Sequence, residues 1–135
     1  MTQEDKDLLL KDLCARLPYG VKVLVDNRHW CDFDSHTPSK ITFDNSYRLL
    51  FVGTQLGYVK PYLFPLSSMT EEQKEEYYYI VNYISPDDTK NWAEGEFIYV
   101  NQMEQLLHFY HINHLDYRGL IPKGLAIDAT GLNIY

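Results

Sequence analysis

Three histidines spaced three residues apart, His108, His111 and His114, with Asp116 just beyond, have the types and spacing to hold a metal ion. On a helix they span an arc of about 120°, so two imidazoles can reach one ion and Asp116 can add a third ligand. A plainer account is that imidazoles near the C-terminal end of a helix suit its partial negative charge. A zinc site also needs carboxylates or carbonyls behind its ligands, which spacing alone does not supply. No metal and no other cofactor is expected.

Nucleophilic chemistry finds less support. Ser67 and Ser68 precede a helix, where serine serves as a cap, and no Gly-x-Ser-x-Gly elbow exists. Cys31 has only His29 and His36 near it in sequence, which does not make a dyad. Glu71, Glu72, Glu75 and Glu76 read as a solvated helix face. Glycine-rich phosphate loops of the dinucleotide and P-loop types are absent from the sequence. No catalytic residue is assigned.

Two groups of residues remain as binding candidates. Arg118, between Tyr117 and Gly119, can clamp a carboxylate or phosphate with both arms. It can also tie the segment around it to the third helix through Asp116 or a helix-end carbonyl. Gly119 and Gly124, which mark turns that need holding, favour that structural role. His114, Asp116, Tyr117 and Arg118 together form the candidate segment for binding a small molecule or metal, with an enzyme as its extension.

The second group is aromatic. The chain has 12 tyrosines against 6 phenylalanines. Tyr77, Tyr78 and Tyr79 are consecutive, so on a helix they point about 100° apart and cannot all enter one core. With Tyr83 they predict a tyrosine-rich contact surface, because tyrosine joins a large apolar ring to a polar tip. The leading expectation is therefore a non-enzymatic protein that acts by protein–protein contact, with an unknown partner or as a homodimer.

The elements that must position these residues follow from periodicity and caps. Thr2 with Asp5 forms a capping box, and Leu9, Leu10, Leu13, Cys14 and Leu17 recur at helical spacing up to Leu17-Pro18-Tyr19-Gly20. Val21–Val25 alternates as a strand. Residues 26–39 read as a loop pinned by Trp30 and Phe33. Ile41–Phe43 and Arg48–Val52 predict a hairpin around Asp44-Asn45-Ser46. Val59–Leu66 is extended, its prolines placing it at a sheet edge or in an ordered crossing. Thr70 and Gln73 box a second helix, Glu71–Ile84, ended by Ser85-Pro86. A loop with Trp92 and Gly95 follows, then a strand at Phe97–Val100. A third helix opens at Asn101-Gln102-Met103-Glu104 and presents Met103, Leu106, Leu107 and Tyr110 on one stripe. From Gly119 onward the chain is apolar, broken by Gly119, Gly124, Gly131 and Pro122, which predicts a folded-back, packed tail. The sum is one α+β domain over residues 1–135, with a small curved, mainly antiparallel sheet or partial barrel.

Composition sets outer bounds. A chain of 135 residues buries enough surface for a stable core without staples. A net charge of −7, with no Lys/Arg cluster, opposes a phosphate backbone, so nucleic acid is not an expected partner. A third reading, an acidic mimic of nucleic acid, requires Glu71–Glu76 and Asp32–Asp34 on one face. Two cysteines without a framework and a polar, acidic N-terminus point to the cytoplasm. No apolar run is long enough to span a bilayer.

Three phrases carry a resemblance: Lys11-Asp12-Leu13-Cys14-Ala15-Arg16-Leu17-Pro18-Tyr19-Gly20-Val21, Lys60-Pro61-Tyr62-Leu63-Phe64-Pro65-Leu66-Ser67-Ser68-Met69-Thr70, and His114-x-Asp116-Tyr117-Arg118-Gly119-Leu120-Ile121 with Gly124-Leu125-Ala126. Covering a little under half of the chain, they resemble a family of small uncharacterised proteins from gut-anaerobe genomes, phages and mobile elements. The resemblance implies a mobile-element origin and no particular activity. The shared pattern contains His114 but not His108 or His111, and often a basic residue in place of Phe64. Those departures weaken a three-histidine site and an anion-binding role for Pro61–Pro65.

Overall fold

The computed structural model describes residues 1–26, 30, 37–82 and 92–135, with side chains from 82 and 92–101 outside that description. Helix α1 (Gln3–Arg16) begins at the expected box. Thr2 Oγ1 accepts from the Asp5 N–H, and the Asp5 carboxylate accepts from the Thr2 N–H. The bond from the Thr2 N–H holds the Asp5 carboxyl below the usual aspartate range. A 3-10 turn, Leu17–Tyr19, follows and closes at Gly20, whose positive φ suits glycine. The buried face of α1 is turned from the one expected. Leu9 and Leu13 are enclosed as predicted, but Cys14 and Leu17 are exposed, and Asp12 and Arg16 take the inner positions.

Strands β1 (Lys22–Val25), β2 (Ser39–Lys40) and β3 (Val59–Pro65) form an antiparallel group, with Val23 opposite both Ser39 and Pro61. Strands β4 (Leu115–Asp116) and β5 (Ile127–Asp128) add to β3 in parallel. The small sheet is thus open and mixed, with two antiparallel and two parallel strand pairings, and it is not closed into a barrel. β3 is its central strand rather than an edge. Pro61 is tolerated there because strand residues alternate in direction. The Asp26 N–H donates to the Tyr58 carbonyl, so residue 58 and, by alternation, residue 60 face β1, while residue 61 faces away from it. On that other side pairing with β5 begins only at Tyr62.

The expected hairpin at residues 41–52 is absent. Tyr47–Gly53 is a π-helical stretch that runs into a single α-turn, α2 (Thr54–Leu56). Asn45 opens it. Its carbonyl accepts from the Leu49 N–H, and its side chain bridges the Thr42 N–H and the Lys40 carbonyl. The reason lies in the burial: Leu49 and Leu50 are both enclosed, followed by Gly53 and Thr54, which is a helical spacing and not alternation. Trp30 itself is seated edge-on to Tyr58 and beneath the Arg48 guanidinium. Phe33 lies outside the described residues.

Helix α3 (Glu71–Asn82) starts at the predicted box, Thr70 and Gln73 exchanging side-chain and backbone bonds. Its expected end at Ser85-Pro86 lies outside the described residues. Helix α4 (Trp92–Ile112) overturns three expectations, since Trp92 and Gly95 are helical rather than in a loop, Phe97–Val100 is helical rather than a strand, and the helix does not open at Asn101. β-formers in a short run are a weak prior against helical context. Gln102, taken for part of a cap on its own helix, donates instead to the Ile80 and Val81 carbonyls of α3. In the stripe, Met103 is exposed and Phe109, one position off it, is buried.

The main core joins Leu9 and Leu13 to β1, β3, Leu49, Leu50 and the tail residues Leu120, Leu125 and Ala126. A satellite of Ile80, Phe109 and Leu115 lies under α3 and α4. The tail is packed, as its apolar character predicted.

Candidate functional site

The chemistry-bearing side chains converge where α1, α4 and the segment after β4 meet. Spacing of i, i+3, i+4, i+7 puts Asp12 and Arg16 on the inner face with Leu9 and Leu13, and both are completely buried. Arg16 Nε donates to Asp12 Oδ2 at 2.7 Å, and Nη2 donates to the Leu115 carbonyl at 2.7 Å. Arg118 Nε stands 3.1 Å from Asp12 Oδ1, an ion pair whose N–H is out of line for a hydrogen bond. One carboxylate therefore holds two guanidiniums. Both lie over the Tyr117 ring, at 5.3 Å for Arg16 and 5.0 Å for Arg118, and Tyr110 stacks on Tyr117 at 4.7 Å.

The three histidines do not share a site. His108 Nδ1 meets the Tyr19 hydroxyl at 2.9 Å, and His111 Nε2 meets the Tyr117 hydroxyl at 2.7 Å. His114 leaves the helix with φ 54° and stacks on Tyr135 with centroids 3.6 Å apart. No group of three metal-ligating side chains occurs among the described residues. Burial, aided by the Arg16 charge, lowers the His111 pKa. Burial lowers that of His114 further, to about 4, again with help from Arg16 and Lys22.

The residues 114–118 turn to separate partners. Asp116, considered as a metal ligand, uses Oδ1 to accept from the Leu120 N–H and Oδ2 to accept from the Ile121 N–H, which holds the turn containing Gly119. Arg118 ties this segment to α1, not to the third helix. Beside His114, the Tyr135 hydroxyl accepts from the Lys22 N–H and donates to the Tyr62 carbonyl, while Lys22 Nζ donates to the Ile134 carbonyl. Burial pushes the Tyr135 phenol up to about 12.

The tyrosines of α3 divide as their angles require. Tyr77 packs on Phe109 and Tyr110, whereas Tyr78 and Tyr79 keep 62% and 63% of their surface. Tyr83 lies outside the described residues, as do His29, Cys31, Asp32, Asp34 and His36. A second aromatic face comes from the segment mistaken for a hairpin. Phe43 is 96% exposed, Tyr47 71% and Phe51 51%, with the Tyr47 and Phe51 rings 5.9 Å apart. A cleft of about 180 Å³ between Phe64, Ser68, Thr70, Gln73, Asn113 and Leu115 is lined by polar groups already bonded to one another or to backbone.

Asp12, Arg16, Tyr19 and His111 form the cluster with Tyr117 and Arg118, and the first three were not singled out from sequence. The spacing of Asp12 and Arg16 relative to Leu9 and Leu13 was the available signal. No protein-family model, curated protein or solved structure matches this chain.

Proposed function

We propose that this chain is a non-enzymatic cytoplasmic protein that works by contact with another protein. The observation that carries the reading is the ridge Phe43–Tyr47–Phe51, three large rings held toward solvent. Exposed aromatic groups of this kind mark interaction surfaces, because a partner that covers them recovers the cost of hydrating them. Leu49, Leu50 and Gly53 anchor the π-helical segment in the core, so Tyr47 and Phe51 are presented on a fixed element, with Phe43 in the turn before it. Wide helical turns of this type occur often at functional sites. Tyr78 and Tyr79 on the acidic face of α3 provide a second contact.

The free, exposed Cys14 fits a reducing compartment. Among the described residues no helix is long and apolar enough to cross a membrane. A phage or mobile-element origin rests on the resemblance of the three motifs.

The test is light scattering behind size exclusion across a concentration series, paired with cross-linking in a host lysate. Phe43→Ser with Tyr47→Ser should lower the oligomer mass, or remove a cross-linked partner that the wild type retains. A monomeric wild type with the same cross-linking pattern as the double variant overturns the reading.

A further inference from the structure

The Asp12 cluster has more cation than it uses. Arg16 is wholly enclosed, yet its Nη1 has no hydrogen-bond partner among the described residues. Arg118 retains 20% of its side-chain surface and turns only Nε toward Asp12. No hydrogen bond engages either Arg118 Nη among the described residues. The nearby Asp116 carboxylate is occupied by two backbone N–H groups, and burial lowers the His111 pKa. One carboxylate thus faces two guanidiniums. An incompletely paired cation in a protein interior is costly and leaves its donors with unused binding capacity.

We infer that Arg118 is an oxyanion site, taking a phosphate or carboxylate group on the two Nη donors that its pairing with Asp12 leaves free. The Asp12 charge and the Tyr117 ring hold the guanidinium in place before a ligand arrives. Bidentate recognition requires such preorganisation. Arg16 adds a second positive charge in the same cluster, and the Tyr117 hydroxyl, bonded to His111, keeps the ring in place. This site is separate from the aromatic ridge, so its fate does not decide the protein-contact reading.

The experiment is a heteronuclear NMR titration of the full chain with inorganic phosphate, and separately with acetate, with chloride keeping ionic strength constant. Saturable shifts are expected at the Arg118 side-chain N–H groups and the Tyr117 amide. Saturation by phosphate alone or by acetate alone supports the site and assigns its chemistry. Arg118→Gln should weaken binding by about tenfold or more, and Arg118→Lys, which keeps the charge but not the paired donors, should also weaken it. Both variants are first checked for a wild-type amide spectrum elsewhere. No saturation beyond the chloride control, or equal saturation in folded Arg118→Gln, overturns the inference.

Discussion

The Tyr135 hydroxyl donates to the Tyr62 carbonyl at 2.8 Å and accepts from the Lys22 N–H at 2.9 Å, standing in for a missing rung between β1 and β3. The register ends at Val23 opposite Pro61, so Lys22 and Tyr62 would be the next pair. Beyond them Phe64 donates to the His114 carbonyl where β4 begins. Tyr135 therefore fills the break between two strands that share one side of β3. Tyr135→Phe keeps the ring and removes the bridge, leaving the Lys22 N–H and the part-buried Tyr62 carbonyl without it. The expected cost is about 0.5–1.5 kcal/mol in urea unfolding, with faster hydrogen exchange at the Lys22 amide.

Asp12→Asn withdraws the counter-charge that Arg16 and Arg118 share among the described residues. Breaking one side of a buried pair costs more than the pair contributes, because the remaining charge stays out of water. A loss of about 3–5 kcal/mol is expected. Chemical denaturation of the variant beside Glu4→Gln, an exposed acid on the same helix, gives the comparison.

Acid should weaken the fold through His114. Its folded pKa is about 4 against an ordinary 6.5, so above pH 6.5 both folded and unfolded states hold it neutral and its contribution is complete. Between pH 6.5 and 4 the unfolded chain takes up a proton that the folded one refuses, and stability falls; below pH 4 the difference is constant. Allowing for partial solvent access, the loss is on the order of 1–3 kcal/mol. His111, lowered for the same first reason, acts in the same direction. His114→Asn, which accepts the positive φ, should flatten the slope of unfolding midpoint against pH in this window.

Gly53→Ala tests the seat of the π-helical segment. A methyl there meets the Val59 side chain and the Arg48 carbonyl, both fixed by packing. The expected destabilisation is about 1–3 kcal/mol, read by thermal unfolding. Gly131→Ala meets no neighbour, so its cost is that of the backbone at φ 77° alone.

Elements marked by local chemistry were legible in the sequence. The boxes at Thr2 and Thr70 need residues only three apart, and β1 and the packed tail are set by simple apolar patterns. Tyr47–Gly53 was not legible because four consecutive apolar residues fit a buried strand or helix, and only the inward placement of both Leu49 and Leu50 decides between them. Phe97–Val100 failed for a related reason, since its β-formers lie inside a long helix. In the site, Asp12 and Arg16 were readable from helical spacing, but apolar periodicity drew attention to Cys14 and Leu17. The pairing of Arg118 with Asp12 depends on β4 lying alongside β3, a long-range arrangement that no local pattern encodes.

Burial of Arg16 also constrains synthesis. Its partners come from α1 itself and from Leu115 and Tyr117, made about a hundred residues later. While the chain emerges from the ribosome, the first helix can form and its leucines can meet β1, Leu49 and Leu50, but Arg16 lacks the Leu115 carbonyl and the Tyr117 ring until that segment is delivered. A nascent chain arrested before residue 115 should for that reason be more sensitive to protease than one arrested after residue 126 has cleared the exit tunnel.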